Sequence, residues 1–508
     1  LTRVAAQTRN RPPGSCRDGP ARASAHAWGD GTATGSPRTR YKPRRSRIGD
    51  GSNQQALSSQ DGFQSAETHV RSGPDSDPFS VTPQRSPSAM TKKQDPINSP
   101  EHVDVAIIGA GPAGAVAAAL LRQAGQQVLV LERQHFPRFS IGESLLPQSM
   151  AYLEQAGMLR AVVEAGFQYK NGAYFVHGDK TAAYDFRDKH SDGWGTTYQV
   201  ERAAFDQILI NCAADQGADV RFGHSVLAVQ PGDAPTLEVQ TESGDTYTVH
   251  ARFILDASGF GRVLPRLLDL ETPTRMPTRA ALFTHVRDAL PAGTTDRNKI
   301  CVAIHPERRD VWYWMIPLAD GRSSVGCVAE ASFLDLPEAE REAALRALIR
   351  AEPTIAALIG DAPFLMPVRH IGGYAANVEK LHGPGYALLG NAGEFLDPVF
   401  SSGVTIAFRS ADLAVRALVR QLAGETVDWQ TAYDAPLRRG IDTFRAFVER
   451  WYTGELQDII FHPHQAPGIR RMISSILAGY AWDETNPFVA DPVRRLNTLH
   501  EICRLDAA

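Results

Sequence analysis

The sequence predicts an α/β fold in which a largely parallel sheet wrapped by helices is followed by a second, antiparallel sheet and a helical C-terminal region. Three observations predict it. Residues 103–108 are a continuous apolar run, a glycine-rich turn follows, 113–124 is helical by composition, and 128–131 is another apolar run. That is a strand–helix–strand unit of a parallel sheet. Residues 220–240 and 247–255 alternate as further strands, while 279–286, 299–305, 311–316 and 323–328 alternate as a separate antiparallel sheet. Residues 337–351 and 404–422 read as helices, and 437–472 as a mostly helical tail.

The chain has 508 residues, 43% hydrophobic and 22% charged, with a formal net charge of -4, a globular profile with room for two or three domains. Residues 1–89 carry 13 Lys+Arg against 7 Asp+Glu, which leaves 40 basic and 50 acidic residues in the remainder. The folded part is therefore acidic and gives no electrostatic case for nucleic acid. Residues 1–89 are rich in Arg, Ser, Gly and Pro, show no period, and lack the apolar content that offsets the entropy of ordering. They are predicted to be a disordered tail, and Met90, shortly before the first strand, is the predicted translation start.

Cys16, Cys212, Cys301, Cys327 and Cys503 lie far apart without metal-ligand spacing, so neither a disulfide framework nor a zinc site is indicated and a reducing cytoplasm fits. His462 and His464 flank Pro463 with no third ligand nearby and read as loop. The most apolar stretch, 103–121, contains Gly109, Gly111, Pro112 and Gly114, which makes it a poor membrane span, and no signal peptide is expected ahead of it.

The strongest chemical signal is Gly109-Ala110-Gly111-Pro112-Ala113-Gly114 between a predicted strand and helix, with Glu132 and Arg133 ending the next strand. Gly109 permits a tight turn, Gly111 lets a pyrophosphate approach the backbone, and Gly114 permits close helix packing. Glu132 is placed to accept from a ribose hydroxyl, which makes this a Rossmann-type dinucleotide site. Two later strands end in small-residue turns, at Asp256-Ala257-Ser258-Gly259 and at Gly390-Asn391-Ala392. With them the chain resembles the flavoprotein monooxygenase superfamily. The resemblance implies FAD, with the first glycines on its ADP half and Asp256, Gly390 and Asn391 closing over the rest. Asn391 stands where the superfamily usually has Asp and can still hydrogen-bond a hydroxyl. Arg202 looks like the superfamily's arginine near the flavin; its alternative is a surface residue at a helix start.

Three further segments resemble the flavin-dependent halogenases. Trp312-Tyr313-Trp314-Met315-Ile316-Pro317 fits their WxWxIP motif, and the run from Phe395 through Pro398 and Ser401 to Gly403 fits FxxPxxSxG. Gly142-Glu143-Ser144 followed by Lys170 looks like the segment carrying their catalytic lysine. Taken alone, WYWMIP is a buried aromatic strand and Lys170 a surface lysine at a strand start.

The resemblance implies that reduced FAD from a separate flavin reductase, with oxygen and halide, yields hypohalous acid that reaches Lys170. Ser402 and Gly403, at a helix start, would hold the halide, Pro398 would contact the cofactor, and Trp312 and Trp314 would shield the flavin. Phe400 occupies the position of the glutamate base of halogenases acting on free tryptophan. This points instead to a phenolic or pyrrolic ring, free or tethered to an acyl carrier protein. The alternative is a related FAD-dependent monooxygenase or reductase acting on a polyene or aromatic lipid without halogenation. On this reading 102–270 and 365–425 form the FAD-binding domain, 271–364 the antiparallel-sheet substrate domain, to whose sheet 167–200 contributes, and 426–508 the helical C-terminal region.

Overall fold

The computed structural model describes residues 101–274, 276–288 and 296–506, so the expected disordered tail and the start at Met90 lie outside the described residues. An eight-stranded sheet is built around the strand Glu101–Ile108, parallel to Thr246–Asp256 on one side and to Val128–Glu132 on the other. Tyr386–Leu388 extends it beyond Thr246–Asp256 and Asp219–Phe222 beyond Val128–Glu132, both in parallel. Central parallel strands are covered on both faces, which is why Val105–Ile108 and Val128–Leu131 read as unbroken apolar runs and are buried throughout. The helix Pro112–Gln123 starts with proline in its first turn, where no N–H is missed. Its residues 113–121 are buried because the helices Arg202–Asp215 and Gly403–Leu422 pack against it, and its alanines let them come close.

The second sheet has seven strands in the order Arg369–Gly372, Arg279–Arg287, Arg322–Glu330, Trp312–Pro317, Lys299–Ile304, Gly172–His177, Lys180–Asp185. Every pairing is antiparallel except Lys299–Ile304 with Gly172–His177. Alternation in the sequence exposes four of these strands. Gly172–His177 gives no such signal because its burial does not follow a two-residue period. Trp312–Pro317 is buried on both faces: Trp312, Trp314 and Ile316 join the main core, and Tyr313 and Met315 a second core under the helices Glu338–Ala351 and Pro353–Ile359.

The tail predicted as mostly helical over 437–472 comprises Ala435–Thr453, Glu455–Ile460 and Pro467–Leu477. Gly454, at φ +85, ends the first of these in the left-handed conformation glycine adopts without penalty. No helix among the described residues is long and apolar enough to cross a membrane.

Candidate active site

A cleft of about 1490 Å³, partly open to solvent, runs from the Gly109–Ala113 turn to Trp312 and Trp314. Its first end is shaped by backbone proximity. Gly109 has φ +99, and a Cβ there would lie 2.6 Å from the Ala257 carbonyl oxygen; a Cβ at Gly114 would lie 2.0 Å from the Gly109 oxygen. Gly111 differs, since its Cβ would approach only Arg138 Nη2 at 3.5 Å and so faces the cleft. No side chain caps the helix that follows, leaving first-turn N–H groups and the positive helix end for an anion. Glu132 Oε2 accepts from the Ala110 N–H at 3.0 Å and Oε1 from the Gln134 N–H at 2.9 Å. Arg138 and Arg202 both line this wall and share the buried Asp206 at 3.1 and 2.7 Å.

At the other end both tryptophans are buried, with ring centroids 5.9 Å apart. Trp314 is held by a 3.1 Å bond from Nε1 to Ser324 Oγ and fits because residue 326 is glycine, where a Cβ would meet the indole at 2.3 Å. Gly326→Ala should push the ring toward the cleft and weaken cofactor binding by about tenfold or more, read by fluorescence titration. Trp312 Nε1 donates to Tyr452 Oη at 3.0 Å, and Tyr452 donates to Asp397 Oδ2 at 2.7 Å. Asp397 Oδ1 accepts from the Val399 N–H at 2.9 Å, and the Arg279 guanidinium lies 4.1 Å over the Tyr452 ring. One buried carboxylate thus ties the tryptophan wall to the turn at Pro398–Phe400 that leads into the helix Gly403–Leu422. Burial is the main cause that raises its pKa to about 6, with the hydrogen bonds opposing.

A carboxyl whose folded pKa lies above its unfolded value binds more protons when folded. This residue therefore favours folding most at low pH, and that contribution fades as pH rises from about 4 to about 6. Asp397→Asn should abolish this component, so the wild-type chain should lose stability relative to the variant as pH rises from about 4 to about 6, measured by urea unfolding at each pH.

Lys170 ends the strand Gln168–Lys170 and is 1% exposed, not at the surface. Its Nζ donates to Ser144 Oγ at 2.6 Å and to the Leu145 carbonyl at 2.7 Å, with the Phe186 ring 5.4 Å away. No carboxylate among the described residues pairs with it, and desolvation lowers its pKa to about 7. The two acceptors match the two N–H bonds of a neutral amine and leave its lone pair free. Because the unfolded lysine keeps its proton to far higher pH, the wild-type chain should gain stability relative to Lys170→Met between about pH 7 and 10. Thermal unfolding of both proteins across that range measures it.

A family model described as FAD binding domain matches residues 102–429. The chain belongs to this FAD-binding family. Similar curated proteins include a tryptophan 2-halogenase from Chondromyces crocatus, 31% identical over 66% of this chain and 64% of its own length. A 1H-pyrrole-2-carbonyl-(peptidyl-carrier protein) chlorinase from Pseudomonas fluorescens is 25% identical over 77% of this chain and 92% of its own. The chain thus spans somewhat under two thirds of the first and nearly all of the second. Among solved structures, a flavoprotein/dehydrogenase from Cytophaga hutchinsonii is 43% identical, with TM-score 0.77 over 80% of this chain and 100% of that one.

The residues present fit FAD: the glycine cradle, the uncapped helix start and the two arginines suit a pyrophosphate, and the cleft is long enough to continue to an aromatic wall. Of the residues singled out from the sequence, Gly109, Gly111, Pro112, Ala113, Glu132, Arg133, Arg202, Trp312, Trp314, Asn391, Pro398 and Gly403 line this cleft. Ala110, Gly114, Asp256, Gly390, Ser402 and Lys170 do not line it. Asp256 is fully buried, and its oxygens accept from the N–H groups of Ser258 and Leu264, so it shapes the turn whose residues 257–261 form the wall. Gly390 supports the wall from beneath, since a Cβ there would lie 2.9 Å from that of Ala407. Ser402 sits behind Ser401, a non-glycine residue at φ +56 that does line the cleft. Lys170 stands one hydrogen bond behind Ser144, which is a wall residue.

Arg138, Glu143, His285, Asp397 and Tyr452 belong to the site but carried no assignment from the sequence. Arg138 and Tyr452 lie in no motif, whereas Glu143 and Asp397 lie inside quoted segments and could have been flagged as acids among apolar neighbours. Phe400 packs edge-on against Phe447 and Trp451, with no carboxylate in its place.

Proposed function

We propose that this protein is an FAD-dependent halogenase that uses reduced FAD, oxygen and halide to halogenate an electron-rich aromatic, phenolic or tethered to a carrier protein. The observation that carries the reading is Lys170: a buried amine without a counter-ion among the described residues, its pKa near 7, held by two acceptors one side chain from the cleft. A structural lysine gains nothing from such a position, because burial without a partner costs stability. The halogenation chemistry named for two relatives supports the same reading.

Bound reduced FAD would supply the electrons that activate oxygen toward halide. The N–H groups at the start of the helix Gly403–Leu422 would hold the halide, an anion at a positive helix end beside Ser401. Trp312 and Trp314 would keep the aromatic substrate off the flavin. The Lys170 lone pair would take the halogen from hypohalous acid, forming an N–halogen bond as water leaves, and deliver it to a positioned ring. Halogenation should therefore rise through about pH 7, where the amine loses its proton; a rate that falls there would mark the ammonium as the working form.

The parallel sheet would serve FAD and the antiparallel sheet the substrate, with a separate reductase providing reduced flavin. A cytoplasmic setting suits the four free cysteines among the described residues. A second reading, oxidation or reduction of an aromatic or polyene without halide, is favoured by the name of the flavoprotein/dehydrogenase at 43% identity. Turnover supported by NADPH alone, at the same rate with and without bromide, would establish that reading; strict dependence on bromide establishes halogenation.

A further inference from the structure

We propose that Glu143 and His285 form a binding pair in the cleft wall, in which Glu143 Oε2 accepts a hydrogen bond from an N–H or O–H group of the cleft's occupant. Glu143 is 1% exposed and yet lines the cleft beside Ser144. His285, 4% exposed, donates from Nε2 to Glu143 Oε1 at 2.9 Å. The second carboxylate oxygen, Oε2, is buried and has no hydrogen-bond partner among the described residues. An ionised carboxylate has acceptor capacity on both oxygens, and leaving a buried one bare is costly.

The rest of the residue is fixed. The Glu143 carbonyl accepts from the Val200 N–H at 2.7 Å, and the His285 carbonyl accepts from the Leu365 N–H at 2.8 Å. A run of rings links the pair to the tryptophan end of the cleft. The His285 ring is 6.2 Å from Phe139, Phe139 is 6.1 Å from Phe283, and Phe283 is 6.0 Å from Trp314. Two groups of the required chemistry could come there, the imide N–H of a flavin ring and the hydroxyl of a phenol. Glu143 would be the binding residue, and His285 a positioning residue acting through it. The inference requires that the cleft take FAD but not that the reaction be halogenation.

The test uses the full chain carrying Glu143→Gln, His285→Gln, or both. Its readouts are Kd for FAD by fluorescence quenching, the visible spectrum of bound flavin, Kd of a phenol on the FAD-loaded protein, and Tm. Glu143→Gln should weaken one of the two ligands by at least about tenfold, the loss expected for a buried charge-assisted hydrogen bond. A loss in FAD affinity with a shifted flavin band assigns the donor to the flavin; a loss in phenol affinity alone assigns it to the substrate. His285→Gln should act in the same direction, and the double variant should be no weaker than Glu143→Gln, because the two act as one unit. Unchanged affinities and spectrum in both single variants, with only Tm lowered, would overturn the proposal. If Glu143→Gln does not fold, His285→Gln decides by the same readouts.

Discussion

Lys170→Met should lose halogenation by about a thousandfold or more while still folding and binding FAD. Methionine keeps most of the side-chain length and volume but removes the amine, and with it both the nucleophile and the group that would position the halogen. The expected stability change is small and mixed. Removing a buried, unpaired amine relieves desolvation, whereas the Ser144 hydroxyl and Leu145 carbonyl lose their donor at a cost of about 1–3 kcal/mol. Oxygen consumption should continue, because Lys170 does not line the cleft proposed to hold the flavin. The measurement is product formation per turnover of reduced flavin in the two proteins, and equal yields would remove Lys170 from the chemistry.

Gly109→Ala should abolish FAD binding, with Kd raised by about a hundredfold or more. The added Cβ would lie 2.6 Å from the Ala257 oxygen and 2.9 Å from its carbonyl carbon, both backbone atoms of the adjacent strand end, and φ +99 is strained for any side chain. Relief requires moving the turn away from that strand. The same movement would displace the Ala110 N–H from Glu132 Oε2 and misplace the helix start that faces the cleft. Titration with FAD measures the loss. Gly111→Ala provides the contrast, since its Cβ meets only an arginine tip; it should fold as wild type and lose affinity only through crowding of the ligand.

The parts legible in the sequence were those where one physical requirement fixes residue type and spacing together. Gly109 and Gly114 are such a case, because strand, turn and helix can meet at these distances only without side chains there. Trp312 and Trp314 are another, since a two-residue period puts both on the face that joins the main core. Contacts between segments far apart in the chain were not legible. The bonds from Trp312 to Tyr452 and from Tyr452 to Asp397 join a strand, a C-terminal helix and a turn, and the Glu143 to His285 bond spans 142 residues. The different partners of the buried Asp256 and Lys170 were likewise hidden. Both are polar residues at the end of a strand, but Asp256 is consumed by backbone donors while Lys170 has no charge partner among the described residues.

Whether this flavoprotein puts halogen on an aromatic ring is decided by supplying the full chain with FAD, a flavin reductase, NADH, oxygen and bromide and following a panel of phenols and a carrier-tethered pyrrole by mass spectrometry. A halogenase gives a product with the bromine isotope pair that is absent without bromide and absent with Lys170→Met. Substrate turnover at the same rate with and without bromide, giving only oxygenated, reduced or dehydrogenated product, would contradict halogenation.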